Sequence, residues 1–158
     1  MMQRKQKKPR NNLNKNKSNR HRMRELVFKS IFQIEFNDFD SVMTYLEEET
    51  ENINLTRTNS EIAKKYFEQI VQKMDEIDSV IDKNLLNWDF SRLSSIDKSV
   101  LRLATYELIY EDKIPIEVSI DEAIEIVKEY DSEKGGKFVN GVLDNIAKKH
   151  TSIEKKKL

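Results

Sequence analysis

The sequence predicts an all-α fold, and three observations lead to that prediction. The 158 residues include only three glycines and two prolines, so the tight turns of a β-rich chain would lack their usual residues. Apolar residues recur at the helical spacing i, i+3, i+4 and i+7 along most of the chain. The length suits one hydrophobic core. We therefore expect a helical bundle of six or seven helices and no strand.

The composition excludes several classes of function. Without cysteine, the chain can form no disulfide, thiolate metal site or cysteine nucleophile. Its only histidines, His21 and His150, give a zinc site little to build with, so we expect no metal and no cofactor. No apolar run approaches the ~20 residues of a membrane helix, and no signal peptide is recognisable. We expect a cytoplasmic protein with no membrane partner.

The net charge of zero hides a basic N-terminus. Residues 1–22 contain nine Lys or Arg and no acid, which leaves 19 basic and 28 acidic residues in 23–158. The N-terminal segment has too few apolar residues to fold. We predict a disordered basic RNA-binding arm at 1–22, a helical domain at 23–150 and a frayed basic tail at 151–158. A solvated tail that aids solubility is the alternative interpretation of the arm.

The first half of the domain contains two or three apolar stripes. The first helix is expected from Met23, where apolar residues begin to follow one face, and should stop near Asn37. A second, shorter helix should run from about 40 to 51. Thr58 to Glu61 has the pattern of a capping box, and a broad stripe follows it as far as Leu85. Residues 60–86 fit either one long helix or two with a break near 75.

The second half contains three further helices. Residues 88–93 form a short connector that carries the only tryptophan, and the helix that follows should end before Pro115. Ser119 is expected to begin the next helix, with Glu122 completing a capping box. The pair Gly135-Gly136 is expected to break the chain before the last helix. Gly141 within that helix indicates close packing against a neighbour.

Residues that could carry catalysis are scarce. The sequence has no Gly-rich phosphate loop, no HExxH and no GxSxG motif. Its acidic pairs fall at helix starts or on polar faces, where the helix dipole and solvent account for them. Arg102, on an otherwise apolar helix, is expected to pair with Glu107 or Glu122. We therefore expect an interaction protein rather than an enzyme.

Aromatic and basic residues suggest a nucleic-acid partner. Phe28, Phe32 and Phe36 follow one another at i, i+4 and i+8, one residue off the core face of the first helix. A ring beside a cationic arm can stack an unpaired base, whereas packing between helices is the alternative. We favour packing for Phe28 and Phe36 and leave Phe32 open. Lys137 could contact a phosphate or be an ordinary surface lysine, and for Phe138 packing competes with stacking.

Four motifs, in order, resemble the NusB transcription antitermination family. The string from Phe138 to Asp144, followed by Asn-Ile-Ala, looks like the family's C-terminal signature. Residues 96–108 resemble its central helix, and Ile114-Pro-x-x-Val118 with residues 120–128 resembles the stretch that follows. Arg22-x-Arg24-Glu25 is similar to the arginine-rich start of the first helix. The clear similarity covers residues 96–147, with a weaker match at 20–36.

The resemblance implies a function and a set of contacts. Family members consist of two packed helical subdomains and bind the boxA element of ribosomal RNA leader transcripts. They act with the ribosomal protein NusE in a complex that keeps RNA polymerase from terminating. Asp97 matches an acidic position at the contact with that ribosomal protein. The positions matching the family's RNA contacts are Arg20, Arg22, Phe32, Lys137 and Phe138.

The resemblance leaves two alternative functions open, and the sequence departs from the family pattern at two places. A general rRNA-binding ribosome-assembly factor could use the same surfaces without a termination role. A NusB-like domain also occurs fused ahead of an RNA cytosine methyltransferase, but this sequence has neither a catalytic domain nor a cysteine to attack the base. Phe32 replaces a tyrosine common in the family, so a hydroxyl contact there is impossible. Lys134-Gly-Gly replaces a more polar or acidic loop.

Overall fold

A computed structural model describes residues 17–158, and within them the fold is all-helical, as predicted. There are more helices than the six or seven expected, because the stripe at 60–86 divides in two and the C-terminal residues add a single turn. The eight helices are α1 (Asn19–Gln33), α2 (Phe39–Asn52), α3 (Arg57–Gln72), α4 (Met74–Lys83), α5 (Ser95–Tyr110), α6 (Ile116–Tyr130), α7 (Glu133–His150) and α8 (Ile153–Lys156).

Helix α1 begins four residues before Met23. The Ser18 hydroxyl accepts a hydrogen bond from the His21 backbone N–H at 2.9 Å, which satisfies one of the free donors of the first turn. Residues 19–22, which the sequence assigned to the arm, therefore belong to the helix. Residues 1–16, where the rest of the predicted disordered arm falls, lie outside the described residues.

Both predicted capping boxes are wrong. Thr56 rather than Thr58 caps α3, with its hydroxyl 3.1 Å from the backbone nitrogen of Asn59. Helix α6 begins directly after Pro115 and has no side-chain cap. Ser119 lies buried inside that helix, where its hydroxyl donates to Glu107 at 2.6 Å. The side chain that resembled a cap is thus used for tertiary packing.

The apolar stripe from Ile62 to Leu85 forms two helices, one of the two possibilities left open. Helix α3 ends at Gln72 and α4 begins at Met74, with Lys73 between them at φ −101° and ψ 15°. The break lies two residues before the position expected from the sequence.

Helix α5 lies at the centre of the fold. Every residue from Ser99 to Leu108 is buried, and α5 packs against α1, α4, α6 and α7. A helix that is apolar on nearly all sides is typical of a position enclosed by other helices. Each large apolar side chain in such a core contributes about 1.5–3 kcal/mol to stability. The division into two packed subdomains remains a prediction.

A buried carboxylate on α5 connects three other helices. Glu107 is 1% exposed and accepts hydrogen bonds from Arg24 on α1 (2.8 Å) and the Tyr66 hydroxyl on α3 (2.9 Å), besides that from Ser119 on α6. Burial and the negative charge of Glu107 raise the pKa of Tyr66, so this hydroxyl remains a donor. The buried charge is thereby compensated.

Arg102 does pair with carboxylates, but not with those expected. Its guanidinium holds Asp78 on α4 through two bonds of 2.8 and 2.9 Å, and Glu35 at 3.1 Å. Arg102 precedes Glu107 by five residues, which is about 140° around the helix. It therefore points toward α4 and the end of α1, away from Glu107.

The glycines of α7 have roles different from those expected. Gly135 and Gly136 lie in the first turn of the helix, capped by Ser132, and do not break the chain. A Cβ on Gly136 would lie 3.3 Å from the Lys128 side chain, so the pair allows α7 to start close to α6. Gly141 faces open space, since a Cβ added there would meet no atom within 4 Å, so the close packing predicted there is wrong.

The C-terminal residues are ordered against the core, in contrast to the frayed tail expected at 151–158. Ser152 caps α8, and the Lys155 ammonium is buried and donates to the backbone carbonyls of Glu107 and Glu111, both at 2.7 Å. Those carbonyls lie at the end of α5, where each also accepts a backbone hydrogen bond, from Glu111 and Ile114 respectively. Within residues 17–158, no helix is sufficiently long and apolar to span a membrane.

Candidate nucleic-acid interface

The predicted site residues occupy four helix ends. Arg20 and Arg22 lie at the start of α1, and Phe32 lies in its last turn. Asp97 is in the first turn of α5, whereas Lys137 and Phe138 follow the glycine pair of α7. The arginines are about 15–18 Å along α1 from Phe32, since each helical residue advances about 1.5 Å. The structure therefore separates the arginines from the other candidates.

Asp97 and Phe138 meet in one cavity of about 380 Å³. Trp88, from the connector between α4 and α5, forms its outer wall and is 55% exposed. The indole and the Phe138 ring are arranged edge to face, with their centroids 6.2 Å apart. The remaining lining residues are Arg92, Leu93, Ser94, Asp131, Ser132, Lys134 and Gly135.

Trp88 was not among the predicted site residues. The sequence does single it out as the only tryptophan, in a connector rather than in an apolar stripe. Asn87, directly before it, has a positive φ of 63°, which asparagine tolerates better than most residues. The connector is then held by Phe90, whose ring lies 5.3 Å from the Lys98 ammonium and 5.5 Å from the Arg102 guanidinium.

Two carboxyl groups share the floor of this cavity. Burial, followed by the negative charge of Asp131, raises the pKa of Asp97 to about 6. Oδ1 of Asp97 is buried without a hydrogen-bond donor in the described part of the chain, and a proton held between the two carboxyls would satisfy it. This cavity therefore offers aromatic surfaces and hydrogen-bond acceptors together, with the cations of Arg92 and Lys134 beside them.

Phe32 lines a second, apolar cavity of about 310 Å³ between α1, α2, α5 and α6. The ring is half-buried and lies 5.5 Å from that of Phe36. Phe28 is buried, as predicted, but Phe36 is 65% exposed because α1 ends at Gln33 and the following turn points outward. The other lining residues are Phe28, Lys29, Gln33, Tyr45, Ile96 and Tyr130.

The two cavities are neighbours along the chain. Ile96 and Tyr130 line the cavity at Phe32. The residues that directly follow them, Asp97 and Asp131, line the cavity at Phe138. The face therefore runs from the end of α1, across the start of α5, to the start of α7. Lys137 is exposed on α7, next to Phe138.

The arginines of α1 contact the first turn of α3 and the loop that precedes it. Arg20 is exposed, and its Nε donates to the Asn59 side chain at 2.7 Å. Arg22 is half-buried and donates to the Ile53 carbonyl, whereas its Nε is buried without a partner among residues 17–158. Of the two, Arg20 is the better placed to contact a ligand from solvent.

Comparison with known proteins gives consistent similarities. The family model described as the NusB family matches residues 21–148. The transcription antitermination protein NusB of Fervidobacterium nodosum is 48% identical over 142 residues, which cover 87% of this chain and 96% of that protein. That of Thermotoga maritima is 48% identical over 139 residues, covering 88% and 97%.

Solved structures are similar as well. A T. maritima NusB structure superimposes with a TM-score of 0.79 at 46% identity, covering 90% of this chain and 99% of that one. A crystal structure of the antitermination factors NusB and NusE in complex with dsRNA contains a chain that matches with a TM-score of 0.73 at 31% identity. That match covers 82% of this chain and 96% of the other.

Proposed function

The chain belongs to the NusB family, and from that premise we propose that it is a transcription antitermination factor. It binds boxA-like single-stranded RNA in ribosomal RNA leader transcripts together with NusE, within a complex that prevents RNA polymerase from terminating. It acts in the cytoplasm, by binding rather than by catalysis. A similar structure that holds NusB, NusE and RNA supports both partners.

The observation that carries the proposal is the cavity at the start of α7. Trp88 and Phe138 present aromatic surfaces there, and each base that stacks on such a surface gains about 1–3 kcal/mol. Arg92 and Lys134 line the same cavity, and Lys137 is exposed beside it, so cations are available for the phosphates that connect stacked bases. Single strands are recognised by this combination of rings and cations.

We assign the remaining predicted residues to the same function. Arg20 and Arg22 extend the cationic surface along α1, and Phe32 supplies a further ring. Asp97 is the contact with NusE, where a half-buried acidic side chain would meet a basic partner. Because Asp97 lines the cavity that contains Phe138, RNA and the protein partner meet there.

Binding measurements with the whole chain test the proposal. Fluorescence anisotropy would compare a boxA-like RNA with a scrambled RNA of the same composition, with and without NusE. We expect tighter binding to the boxA-like sequence and a larger preference when NusE is present. Equal affinity for both RNAs under both conditions would contradict the proposal and favour the ribosome-assembly factor.

A charge reversal locates the RNA. Lys137→Glu should weaken binding of the boxA-like RNA, with a defect that shrinks as salt screens the charge. Lys149→Glu is the matched control, because Lys149 is exposed on the same helix near its opposite end. Equal defects in both variants would show that binding responds only to net charge.

A further inference from the structure

His21 lies among carboxylates where α1 meets α6, away from the aromatic cavity. The residue is 6% exposed, and its Nδ1 is 2.9 Å from Oε1 of Glu122 and 3.6 Å from Oε2 of Glu125. We propose that His21, Glu122 and Glu125 form a binding site for a divalent transition-metal ion of the zinc type. The inference is independent of the proposed RNA binding.

The distances between the three side chains suit one ion. Bonds from Zn²⁺ to histidine nitrogen and carboxylate oxygen are about 2.0–2.2 Å, so ligand atoms at angles of 90–120° lie about 2.9–3.7 Å apart. Both distances from His21 fall in that interval, and the ligand atoms all lie within 4.8 Å of one another. At 3.6 Å, Oε2 of Glu125 lies within ion-pair distance of Nδ1 of His21 but too far for a hydrogen bond.

The groups behind these ligands are those that hold a metal-binding histidine in place. A coordinating histidine normally directs its second ring nitrogen to a carboxylate, and here Nε2 of His21 lies 4.0 Å from Oε1 of Glu25, which is an ion-pair distance rather than a hydrogen bond. Glu25 is itself fixed by the Lys17 ammonium at 2.9 Å. The Arg24 guanidinium lies 3.3 Å from Glu122 and orients that ligand.

The local charge favours a divalent cation. The carboxylates of Glu25, Glu122 and Glu125 surround His21. Within the described chain, two permanent cations contact them, and each also pairs with a further carboxylate: Lys17 with Glu129 and Arg24 with Glu107. The hydrogen bond with Glu122 raises the pKa of His21 despite its burial. A divalent metal ion would bring two positive charges to these carboxylates.

Solvent reaches the site. A cavity of about 560 Å³ is lined by His21, Glu122 and Glu125 together with Lys17, Ser18, Lys128 and Glu129. An ion with three protein ligands keeps open positions for water, and this cavity has room for them. The bound ion would join α6 to the first turn of α1, the turn that carries Arg20 and Arg22.

Metal titration of the full chain, produced without a histidine tag and stripped with a chelator, tests the site. Zn²⁺ binding would be followed by calorimetry, and Co²⁺ binding by its visible absorption. We expect one ion per chain, with an affinity that rises with pH because the metal must displace the proton of His21. Glu125→Gln should weaken Zn²⁺ binding about tenfold or more, and His21→Gln should abolish it.

Two variants provide matched controls. Glu117→Gln removes an exposed acid from the same helix, and His150→Gln removes the other histidine of the chain. Both should bind Zn²⁺ with the affinity of the unmodified protein. Because Glu125 is exposed, its variant should remain folded even if His21→Gln does not. Absence of binding up to millimolar Zn²⁺, or equal affinity in Glu125→Gln and Glu117→Gln, would overturn the proposal.

Discussion

Asp97 shows how burial and a neighbouring charge act on one side chain. In sequence it is an ordinary acid in the first turn of a helix, a position where the dipole favours negative charge. In the structure it is half-buried beside Asp131, and its pKa rises to about 6. The family resemblance predicts for Asp97 a contact with the ribosomal protein, but it says nothing of Asp131, which is 34 positions away and could not be paired with Asp97 by spacing.

Replacing Asp97 by asparagine should stabilise the protein at neutral pH. The folded state binds the Asp97 proton more tightly than the unfolded state, whose pKa is near 3.8. The stability due to that proton is therefore fully present below pH 3.8 and is lost as pH rises through about 6. We expect the melting temperature of Asp97→Asn to exceed that of the unmodified chain at about pH 7, with the difference shrinking toward about pH 4.

The control for this prediction is Glu117→Gln, which removes an exposed acid elsewhere. Its melting temperature should follow that of the unmodified protein across the pH range. A constant offset between Asp97→Asn and the unmodified protein at all pH values would mean that the carboxyl pair does not titrate as described.

Phe32 can be tested for stacking against packing by one comparison. Its ring is half-buried in an apolar cavity, whereas Phe28, one turn earlier, is 3% exposed. Phe28→Ala should cost about 3–5 kcal/mol of stability, as for other core phenylalanines. Phe32→Ala should lower the melting temperature far less and should weaken RNA binding at both low and high salt, because stacking is little screened. A large loss of stability with unchanged affinity would assign Phe32 to packing.

Among the helices, apolar periodicity was informative, as was Pro115, before which α5 ends, but the local signals for helix starts were not. The stripes predicted the helices, since burial of one face determines where a helix packs. The residues at which helices begin depended on contacts with other helices, which the spacing of residues in the sequence does not reveal. The Ser119 hydroxyl does not cap its helix because it donates a hydrogen bond to Glu107, twelve residues away. Gly136 lies within α7, where the absence of a side chain leaves room for the Lys128 side chain on α6.

Helix α8 should act as a C-terminal clamp on α5. The buried Lys155 ammonium donates to two carbonyls at the end of α5, and a hydrogen bond that involves a charged group contributes about 1.5–3 kcal/mol to stability. Lys155→Met keeps the apolar stem and removes both bonds, so we expect its melting temperature to fall by several degrees. Lys157→Met, at an exposed position, is the control and should melt with the unmodified chain. Equal melting of the two variants would show that α8 contributes little.

For the whole molecule, the features that could be predicted from the sequence were those formed by residues close together along the chain. The all-helical fold and the neighbouring Lys137 and Phe138 follow from periodicity and motif. The position of Trp88 in the cavity could not be predicted, because it depends on which helix ends pack around the connector. The carboxylates around His21 required the packing of α1 on α6, because His21 and Glu122 are 101 positions apart. The partners of Arg102 likewise depended on which helices flank α5.

The basic N-terminus should affect RNA binding without affecting the fold. Residues 1–16 contain six Lys or Arg and no acid. For binding to a single strand, the slope of log affinity against log salt concentration becomes shallower by about 0.7 for each phosphate that is no longer neutralised. A chain that starts at Lys17 keeps the Ser18 cap of α1 and the ion pairs of Lys17 with Glu25 and Glu129. We expect it to melt like the full chain and to bind RNA more weakly, with a flatter dependence on salt.

A longer truncation separates the two effects. Removing residues 1–19 also removes the Ser18 cap, which should cost about 1 kcal/mol and lower the melting temperature. The salt slope of RNA binding should then change little beyond that of the shorter truncation, because only Lys17 is lost in addition. If the shorter truncation retains the full salt slope, the basic residues of 1–16 neutralise no phosphates, and the cationic contribution must come from α1 and α7.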